Sequence, residues 1–345
     1  ELDSLVDPFI ELDKFIEKSQ DWLFGYLTYD LKNEVEELYS NNLDNQGFPK
    51  MHFFVPEIII KVNNQNVEII CDINYSDEDI DQFFHAICTT VIQEDSVGVV
   101  QIKSRLTKSE YIDNVKEIKK HLQAGDIYEM NYCQEFYAEH LTTDPFNLFS
   151  KLNNISKAPF SSFYRLNHHF CLCASPERYL KKHGNKIISQ PIKGTIKKSN
   201  NAIVDKQNKK LLLNSSKDYS ENVMIVDLVR NDLSRIAKKA TVHVDELAGL
   251  YSYKDVHHLI STISCDLAED KTIIDAIKVS FPMGSMTGAP KIKAMELIEK
   301  FEITLRGLYS GSIGYISPSK DFDFNVVIRS IFYNQQSQYL SFMVG

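Results

Sequence analysis

Residues 170–195, FCLCASPERYLKKHGNKIISQPIKGT, predict antiparallel β structure. Apolar, β-branched and aromatic residues favour strands over residues 170–174 and 186–189, and His183-Gly184-Asn185 has the composition of a hairpin turn. Similar segments recur along the chain and predict further strands at residues 67–73, 99–102, 132–137, 312–316 and 325–333. The sequence therefore predicts a protein rich in short strands.

Three long helices accompany these strands. Thr107 and Glu110 form a capping box, and apolar residues at helical spacing lead to Gly125, which predicts a helix over residues 109–124. Further helices are expected over residues 220–237 and from Pro290 to Lys300. Strands and helices do not alternate regularly, so we expect an α+β fold in one compact unit rather than a doubly wound sheet.

Composition excludes several classes of protein. The chain has 345 residues, of which 43% are hydrophobic and 25% charged, as is usual for a soluble globular protein. Its net charge of −9 argues against a nucleic-acid partner, and the one dense basic run, Lys206 to Lys210, is expected to be a solvated loop. Without a leader or a membrane-spanning apolar stretch, we expect a cytoplasmic setting and no membrane partner.

The six cysteines show no metal-binding or redox spacing. Cys171 and Cys173 are two residues apart, which in a strand places both side chains on one face of the sheet. We expect reduced and mostly buried thiols.

Lys193 and Glu177 are the first candidates for chemistry. A lysine in poorly hydrated surroundings loses part of its preference for the charged form, and a neutral amine is a usable nucleophile. Glu177 lies sixteen residues earlier, so a hairpin at residues 183–185 would bring both side chains to one edge of a sheet. A buried glutamic acid there could protonate a leaving hydroxyl, but a structural ion pair is an equal alternative.

Asp218 and Glu221 are three residues apart at the start of a predicted helix. Two carboxylates on one helical face can bind Mg²⁺, although acidic residues also favour a helix N-terminus through its dipole. Arg329 lies within an apolar run, where a buried arginine requires an anionic partner.

Six blocks of sequence, in this order along the chain, resemble the chorismate-utilising enzymes. They are Ser175-Pro176-Glu177-Arg178, the QPIKGT stretch at 190–195, ENVMIVDLVRNDL at 221–233, Val256-His257-His258-Leu259, Thr287-Gly288-Ala289-Pro290-Lys291 and RGLYSGSIGY at 306–315. The resemblance is strong over residues 96–345, the expected chorismate-binding catalytic region. It is weak over residues 1–95, which we expect to be a truncated N-terminal part of the same fold. It implies two large antiparallel sheets packed face to face, with helices outside and the active site in a cleft between them.

The resemblance also implies roles for individual residues. Glu177 matches the general acid, Lys193 the lysine that adds to the chorismate ring, and His258 a histidine near that ring. Glu221 matches a Mg²⁺ ligand, whereas Asp218 replaces the usual glutamate and departs from the pattern. The implied substrate-binding residues are Gly194, Thr195, Thr287, Gly288, Tyr309 and Arg329. Gln134 stands where water-adding relatives have a lysine base, which favours ammonia as the incoming group.

Lysine at position 193 implies the branch that aminates chorismate at C4, the aminodeoxychorismate synthases, with Mg²⁺ as cofactor and ammonia supplied by a glutamine amidotransferase subunit. Anthranilate-forming relatives have alanine there and are the first alternative. A chorismate-binding subunit without turnover is the second, because the family's glycine-rich loop and second Mg²⁺ glutamate are expected beyond residue 345.

Overall fold

A computed structural model describes residues 7–63, 65–71, 74–91 and 100–345 of the chain. Its helices are α1 (Pro8–Ser19), α2 (Lys32–Val35), α3 (Asp77–Thr89), α4 (Lys108–Ala124), α5 (Pro145–Ser156), α6 (Ala202–Leu213), α7 (Ser216–Ser234), α8 (Ile273–Ser280) and α9 (Lys291–Phe301), with 3₁₀ turns at Tyr29–Leu31 and Gly284–Met286. Within the described ranges, none of the helices has the length and apolar character needed to cross a bilayer.

The strands follow one another in short segments. They are β1 (Leu23–Leu27), β2 (Met51–Phe54), β3 (Ile58–Val62), β4 (Val67–Cys71), β5 (Lys103–Ser104), β6 (Glu129–Met130), β7 (Gln134–Ala138), β8 (Phe160–Leu166), β9 (His169–Ser175), β10 (Arg178–His183), β11 (Lys186–Gln190), β12 (Ile192–Lys197), β13 (His243–Ser252), β14 (Val256–Asp266), β15 (Gly288–Ala289), β16 (Ser312–Ile316), β17 (Phe322–Asn325), β18 (Ser330–Asn334) and β19 (Tyr339–Val344).

Two large antiparallel sheets contain most of these strands, which confirms the expected α+β architecture. The larger has nine strands in the order β12-β14-β11-β10-β17-β16-β1-β2, with β13 paired to β14. The smaller has six, in the order β5-β7-β19-β18-β9-β8. The described ranges also contain two two-stranded sheets, β3-β4 and β15-β6.

One hydrophobic core joins the two sheets. Leu180 and Ile187 of the nine-stranded sheet belong to the same buried cluster as Cys171, Cys173 and Phe332 of the six-stranded sheet. Both cysteines are fully buried and, with Cys133 and Cys265, form the buried thiols, whereas Cys88 is exposed. The expectation of mostly buried cysteines sharing a sheet face is therefore confirmed for this pair.

The helix predicted at residues 109–124 is confirmed as α4. Thr107 and Glu110 form the reciprocal capping box, and Gly125 ends the helix with a φ of 82°. The expectation of a loop at Lys206 to Lys210 was wrong. These residues lie in α6, which begins because the Asn201 side chain caps the amides of Ile203 and Val204.

The hairpin at residues 183–185 is confirmed, but its first strand is β10 and not the predicted strand at 170–174. β9, which contains those residues, lies in the other sheet. The chain passes from one sheet to the other through Pro176 and Glu177. The strand predicted at 67–73 is present as β4, with residues 72 and 73 outside the described ranges. Residue 99 also lies outside them, and β5 begins just after the predicted 99–102.

The continuous strand predicted over residues 325–333 was wrong. β17 ends at Asn325 in the nine-stranded sheet, and β18 begins at Ser330 in the six-stranded sheet. Between them, the amides of Val326 and Val327 donate to the carbonyls of Glu177 and Gly311. These buried residues therefore form a second crossing between the sheets, beside the first.

Candidate active site

A cavity of about 650 Å³ opens where the two crossings meet the start of β12. This volume is in the range of small-molecule sites. Polar side chains contribute much of its wall, namely Asn131, Glu177, Lys193, Thr195, His258, Ser285, Tyr309, Arg329 and Ser330. The structure thus brings six of the residues singled out from the sequence, Glu177, Lys193, Thr195, His258, Tyr309 and Arg329, around one cavity.

Lys193 reaches this cavity from an irregular part of β12. The register of β12 against β14 shifts between Ile192 and Thr195, and Gly194 has a φ of 92°. Such a bulge redirects the side chains next to it. The Lys193 carbonyl accepts a hydrogen bond of 2.6 Å from the Asn222 amide in α7, which fixes the backbone at this point.

The amine of Lys193 is ion-paired to Glu129. The two side chains are 16% and 15% exposed, so the poorly hydrated setting expected from the sequence is present. The carboxylate partner was not expected. A carboxylate in this position is a charge-assisted hydrogen-bond acceptor for a lysine side chain.

Glu177 is 4% exposed in the first crossing. Burial raises the pKa of its carboxyl to about 7, while a hydrogen bond from Ser285 and the charge of Lys193 act in the opposite direction. The Ser285 hydroxyl donates to Oε1 at 2.7 Å. A carboxyl with this pKa can give up a proton to a bound group near neutral pH.

His258 is an uncharged hydrogen-bonding link in this site. Its Nε2 lies 3.2 Å from the Arg329 guanidinium, which can only donate, and its Nδ1 lies 2.8 Å from the Thr195 hydroxyl. The imidazole therefore accepts at Nε2 and donates from Nδ1. Burial and the Arg329 charge lower the pKa of His258 to about 4, which suits a neutral orienting group.

His257, the other member of the pair, faces away from the cavity. Its ring is fully buried between Asp205 and Ser252. Because successive strand residues point to opposite faces, only His258 of the two lines the cavity.

The expectation of a buried Arg329 within a strand was wrong. Arg329 is an exposed residue with a φ of 51° in the second crossing, because the chain turns there to enter the other sheet. No acidic side chain within the described residues forms an ion pair with it. A guanidinium that opens on a cavity with a neutral histidine as its partner is suited to bind an anion.

A buried polar network supports the cavity wall beside Tyr309. The Arg306 guanidinium is 1% exposed and pairs with Glu302, and it also donates to the carbonyls of Asn131 and Met286. Asn131, Met286 and Tyr309 all line the cavity. Arg306 therefore fixes the backbone of this wall without reaching the cavity itself.

Asp218 and Glu221 lie together on the first turns of α7, and neither lines the cavity. Glu221 is 3.5 Å from Lys217, and the Asp218 side chain packs against Gly194. No group of three or more potential ligands occurs in the part of the chain that the structure describes. The donors present, two partly exposed carboxylates next to β12, fit the one or two direct oxygens that Mg²⁺ takes from a protein.

Four further predicted residues also lie outside the cavity wall, among them Gly194, whose neighbours Lys193 and Thr195 both line it. The Thr287 hydroxyl donates to the carbonyls of Met283 and Gly284, within its own turn. Gly288 pairs with Met130, and a Cβ on Gly288 would lie 2.1 Å from the Glu129 carbonyl. Gln134 lies in β7, where its side-chain oxygen is buried without a partner among the described residues.

Sequence reasoning missed Glu129, Asn131 and Ser285. Ser285 precedes the Thr287-Gly288 block by two residues, so its place next to a motif was the available signal. Nothing in the local pattern of Glu129 or Asn131 marks either residue, because tertiary pairing of β6 with β15 positions them.

Comparison with known proteins gives a consistent result. The profile of the family described as chorismate binding enzyme matches residues 6–345. Component 1 of aminodeoxychorismate synthase from Salmonella typhimurium is 34% identical over 92% of this chain and 69% of its own length. The Escherichia coli protein of the same name is 38% identical over 69% of this chain, and the match spans about half of it, 52%.

A solved structure shares the fold. Anthranilate synthase component I from Streptococcus pneumoniae superposes with a TM-score of 0.84 at 27% identity, covering 94% of this chain and 74% of that one.

Proposed function

The chain belongs to the chorismate-binding enzyme family, and on that basis we propose that it aminates chorismate at C4 as component I of an aminodeoxychorismate synthase. The product is 4-amino-4-deoxychorismate, the precursor of 4-aminobenzoate in folate biosynthesis. The observation that carries the proposal is the presence of Lys193 and Glu177 on one cavity wall, with Arg329 opening on the same space.

Two side chains carry the proposed reaction, namely the amine of Lys193 and the carboxyl of Glu177. The Lys193 amine adds at C2 of the ring, the double bonds shift, and the C4 hydroxyl leaves as water with a proton from Glu177. Ammonia then adds at C4, the bond from C2 to lysine breaks, and the amine is regenerated. The Glu177 carboxylate takes back a proton from the new ammonium group, so the cycle closes.

Anion binding orients the substrate. Chorismate has two carboxylates, and the Arg329 guanidinium and Tyr309 phenol are donors for one of them. His258 accepts from Arg329 and holds its guanidinium toward the cavity. Asp218 and Glu221 would hold Mg²⁺, which supplies positive charge for a substrate carboxylate when bound.

The ammonia comes from a glutamine amidotransferase subunit, component II, in a cytoplasmic assembly. Support for this partner is the component 1 designation of the similar Salmonella and Escherichia coli proteins.

Product analysis tests the proposal. The full-length protein is incubated with chorismate, Mg²⁺ and excess ammonium, and the products are separated by chromatography with mass detection. We expect 4-amino-4-deoxychorismate. Lys193→Ala should abolish its formation, whereas Lys197→Ala, an exposed position on the same strand, should not. Full synthesis by Lys193→Ala would refute the covalent role.

Anthranilate synthase component I is the second candidate, favoured by the close structural match to the Streptococcus pneumoniae protein. In that case the same incubation yields fluorescent anthranilate. Absence of any product would point to a chorismate-binding subunit without turnover.

A further inference from the structure

Glu129 contacts the atom that must react, although no motif marks it. Its Oε1 accepts from the Lys193 amine, and its Oε2 is buried without a partner within the described residues. β6 holds Glu129 in place through antiparallel pairing with β15, where Ala289 is opposite Glu129. The side chain is thus fixed at the amine by two elements remote from each other in sequence.

Lys193 needs a proton acceptor if it is the nucleophile. A free lysine amine is protonated near neutral pH, and the protonated amine has no lone pair to donate. Among the residues that the structure describes, three titratable side chains face the amine, namely Glu129 in direct contact and Glu177 and Cys133 through charge.

Two of the three are unsuited to accept this proton. Glu177 must arrive protonated at the leaving hydroxyl. Burial raises the pKa of the Cys133 thiol to about 12, so it stays protonated, and its hydrogen-bond acceptors are Asn131 and Tyr309. The cation that faces Glu177, Arg329, cannot act as a base.

We propose that Glu129 is the proton acceptor of Lys193 and returns the proton at the end of the cycle; this inference rests on the proposed function. One N–H bond of the ammonium breaks and one O–H bond forms on Glu129, which leaves a neutral amine next to a carboxylic acid. The amine adds at C2 while Glu177 protonates the leaving hydroxyl. When ammonia expels the lysine, the amine recovers its proton from Glu129, and both groups are again charged.

Substrate binding supplies a reason for the transfer. Chorismate expels water from the cavity, and removing water penalises an ion pair more than the neutral pair formed by moving one proton. Glu129 Oε2 accepts no hydrogen bond from the described residues, so no second donor stabilises Glu129 as a carboxylate. Proton transfer therefore becomes easier once the ring is in place.

Glu129→Gln tests this role, because glutamine keeps the size and an accepting oxygen but cannot take a proton. We expect kcat for 4-amino-4-deoxychorismate to fall at least about 100-fold with little change in KM, as is usual for loss of an acid–base group. Glu129→Asp keeps a carboxylate and should retain more activity than Glu129→Gln. Glu139→Gln removes the exposed partner of Lys103 and is the matched control, which should leave kcat unchanged.

A second measurement separates proton transfer from a structural role. Acetic anhydride labels neutral amines, and peptide mass spectrometry gives the labelling rate of Lys193 in the free protein at pH 8. Glu129→Gln should raise this rate about threefold, because an ammonium ion without its carboxylate is less stabilised. Turnover and amine reactivity then change in opposite directions.

Other outcomes overturn the proposal. If turnover is unchanged or rises together with labelling, Glu129 merely stabilises the ammonium ion. If both fall together, Glu129 merely supports the local fold. A wild-type protein that makes no 4-amino-4-deoxychorismate refutes the proposed function itself, and with it this step; that failure is identified on the wild type alone.

Discussion

At the residue scale, the pKa of the Glu177 carboxyl depends on the Ser285 hydroxyl. The hydrogen bond from Ser285 lowers a pKa that burial has raised to about 7. A general acid works while protonated, so activity should be lost as the pH rises through about 7. Ser285→Ala removes the opposing hydrogen bond, raises the pKa further and should move this loss to higher pH in a profile of kcat. Ser280→Ala, a buried serine bonded to Tyr179, should leave the profile in place.

His258 should stay neutral across the working pH range. Burial and Arg329 lower the pKa of His258 to about 4, so its ring should protonate only in acid. Arg329→Gln removes the neighbouring cation and should raise this pKa. Histidine-selective ¹⁵N NMR titration measures both values, and a ring that titrates near pH 6.5 in the wild type would contradict the lowered pKa.

At the scale of elements, the pairing of β6 with β15 depends on Gly288. Its φ is 150°, and a Cβ would lie 2.1 Å from the Glu129 carbonyl. Gly288→Ala must therefore separate the two strands and displace Glu129. Gly125→Ala is the matched control, because Gly125 also has positive φ but no atom within 4 Å of an added Cβ. In urea unfolding, Gly288→Ala should lower the free energy of unfolding by about 1–3 kcal/mol more than Gly125→Ala does, which is the usual cost of overpacking. Equal decreases in the free energy of unfolding would show that β6 and β15 accommodate the added Cβ without strain.

Local pattern predicted the elements of this fold better than their partners. The α4 capping box and the turn at residues 183–185 are local, and both are confirmed. Residues 326–329 have the apolar composition of a strand, but the amides of Val326 and Val327 bond to carbonyls distant in sequence. Composition does not encode which sheet a segment joins. For the same reason, Arg329 was predicted around the substrate but wrongly placed inside a strand, and Glu129 was not found.

At the scale of the whole molecule, one buried ion pair ties distant segments together. Glu302 accepts from Arg306 and from the amide of Cys133, and Arg306 holds the carbonyls of Asn131 and Met286. Removing one partner leaves a buried charge without compensation, so Glu302→Ala should lower the free energy of unfolding by about 3–5 kcal/mol. Glu296→Ala, which breaks an exposed pair on α9, should leave the urea midpoint nearly unchanged. Similar midpoints for both variants would contradict a supporting role for this pair.

The cavity forms where the chain twice leaves one sheet for the other. The backbone at such crossings lies outside the paired strands. Glu177 and Arg329 can therefore both point toward the space between the sheets. Glu177, Lys193 and His258, which the motifs singled out, all line this cavity, although Glu177 lies in a crossing, Lys193 in β12 and His258 in β14. Sequence motifs thus marked these cavity residues before the path of the chain was known.

Chemical modification of the buried cysteines would report how often the folded molecule opens. Burial raises the pKa of Cys171 and Cys173 and brings the pKa of Cys265 to about 12, so these thiols are neither ionised nor accessible in the folded state. A thiol reagent should modify Cys88 at once and the buried sulfurs only in molecules that have transiently unfolded. The slow phase of modification, followed by mass, would then time the separation of the two sheets without any added label.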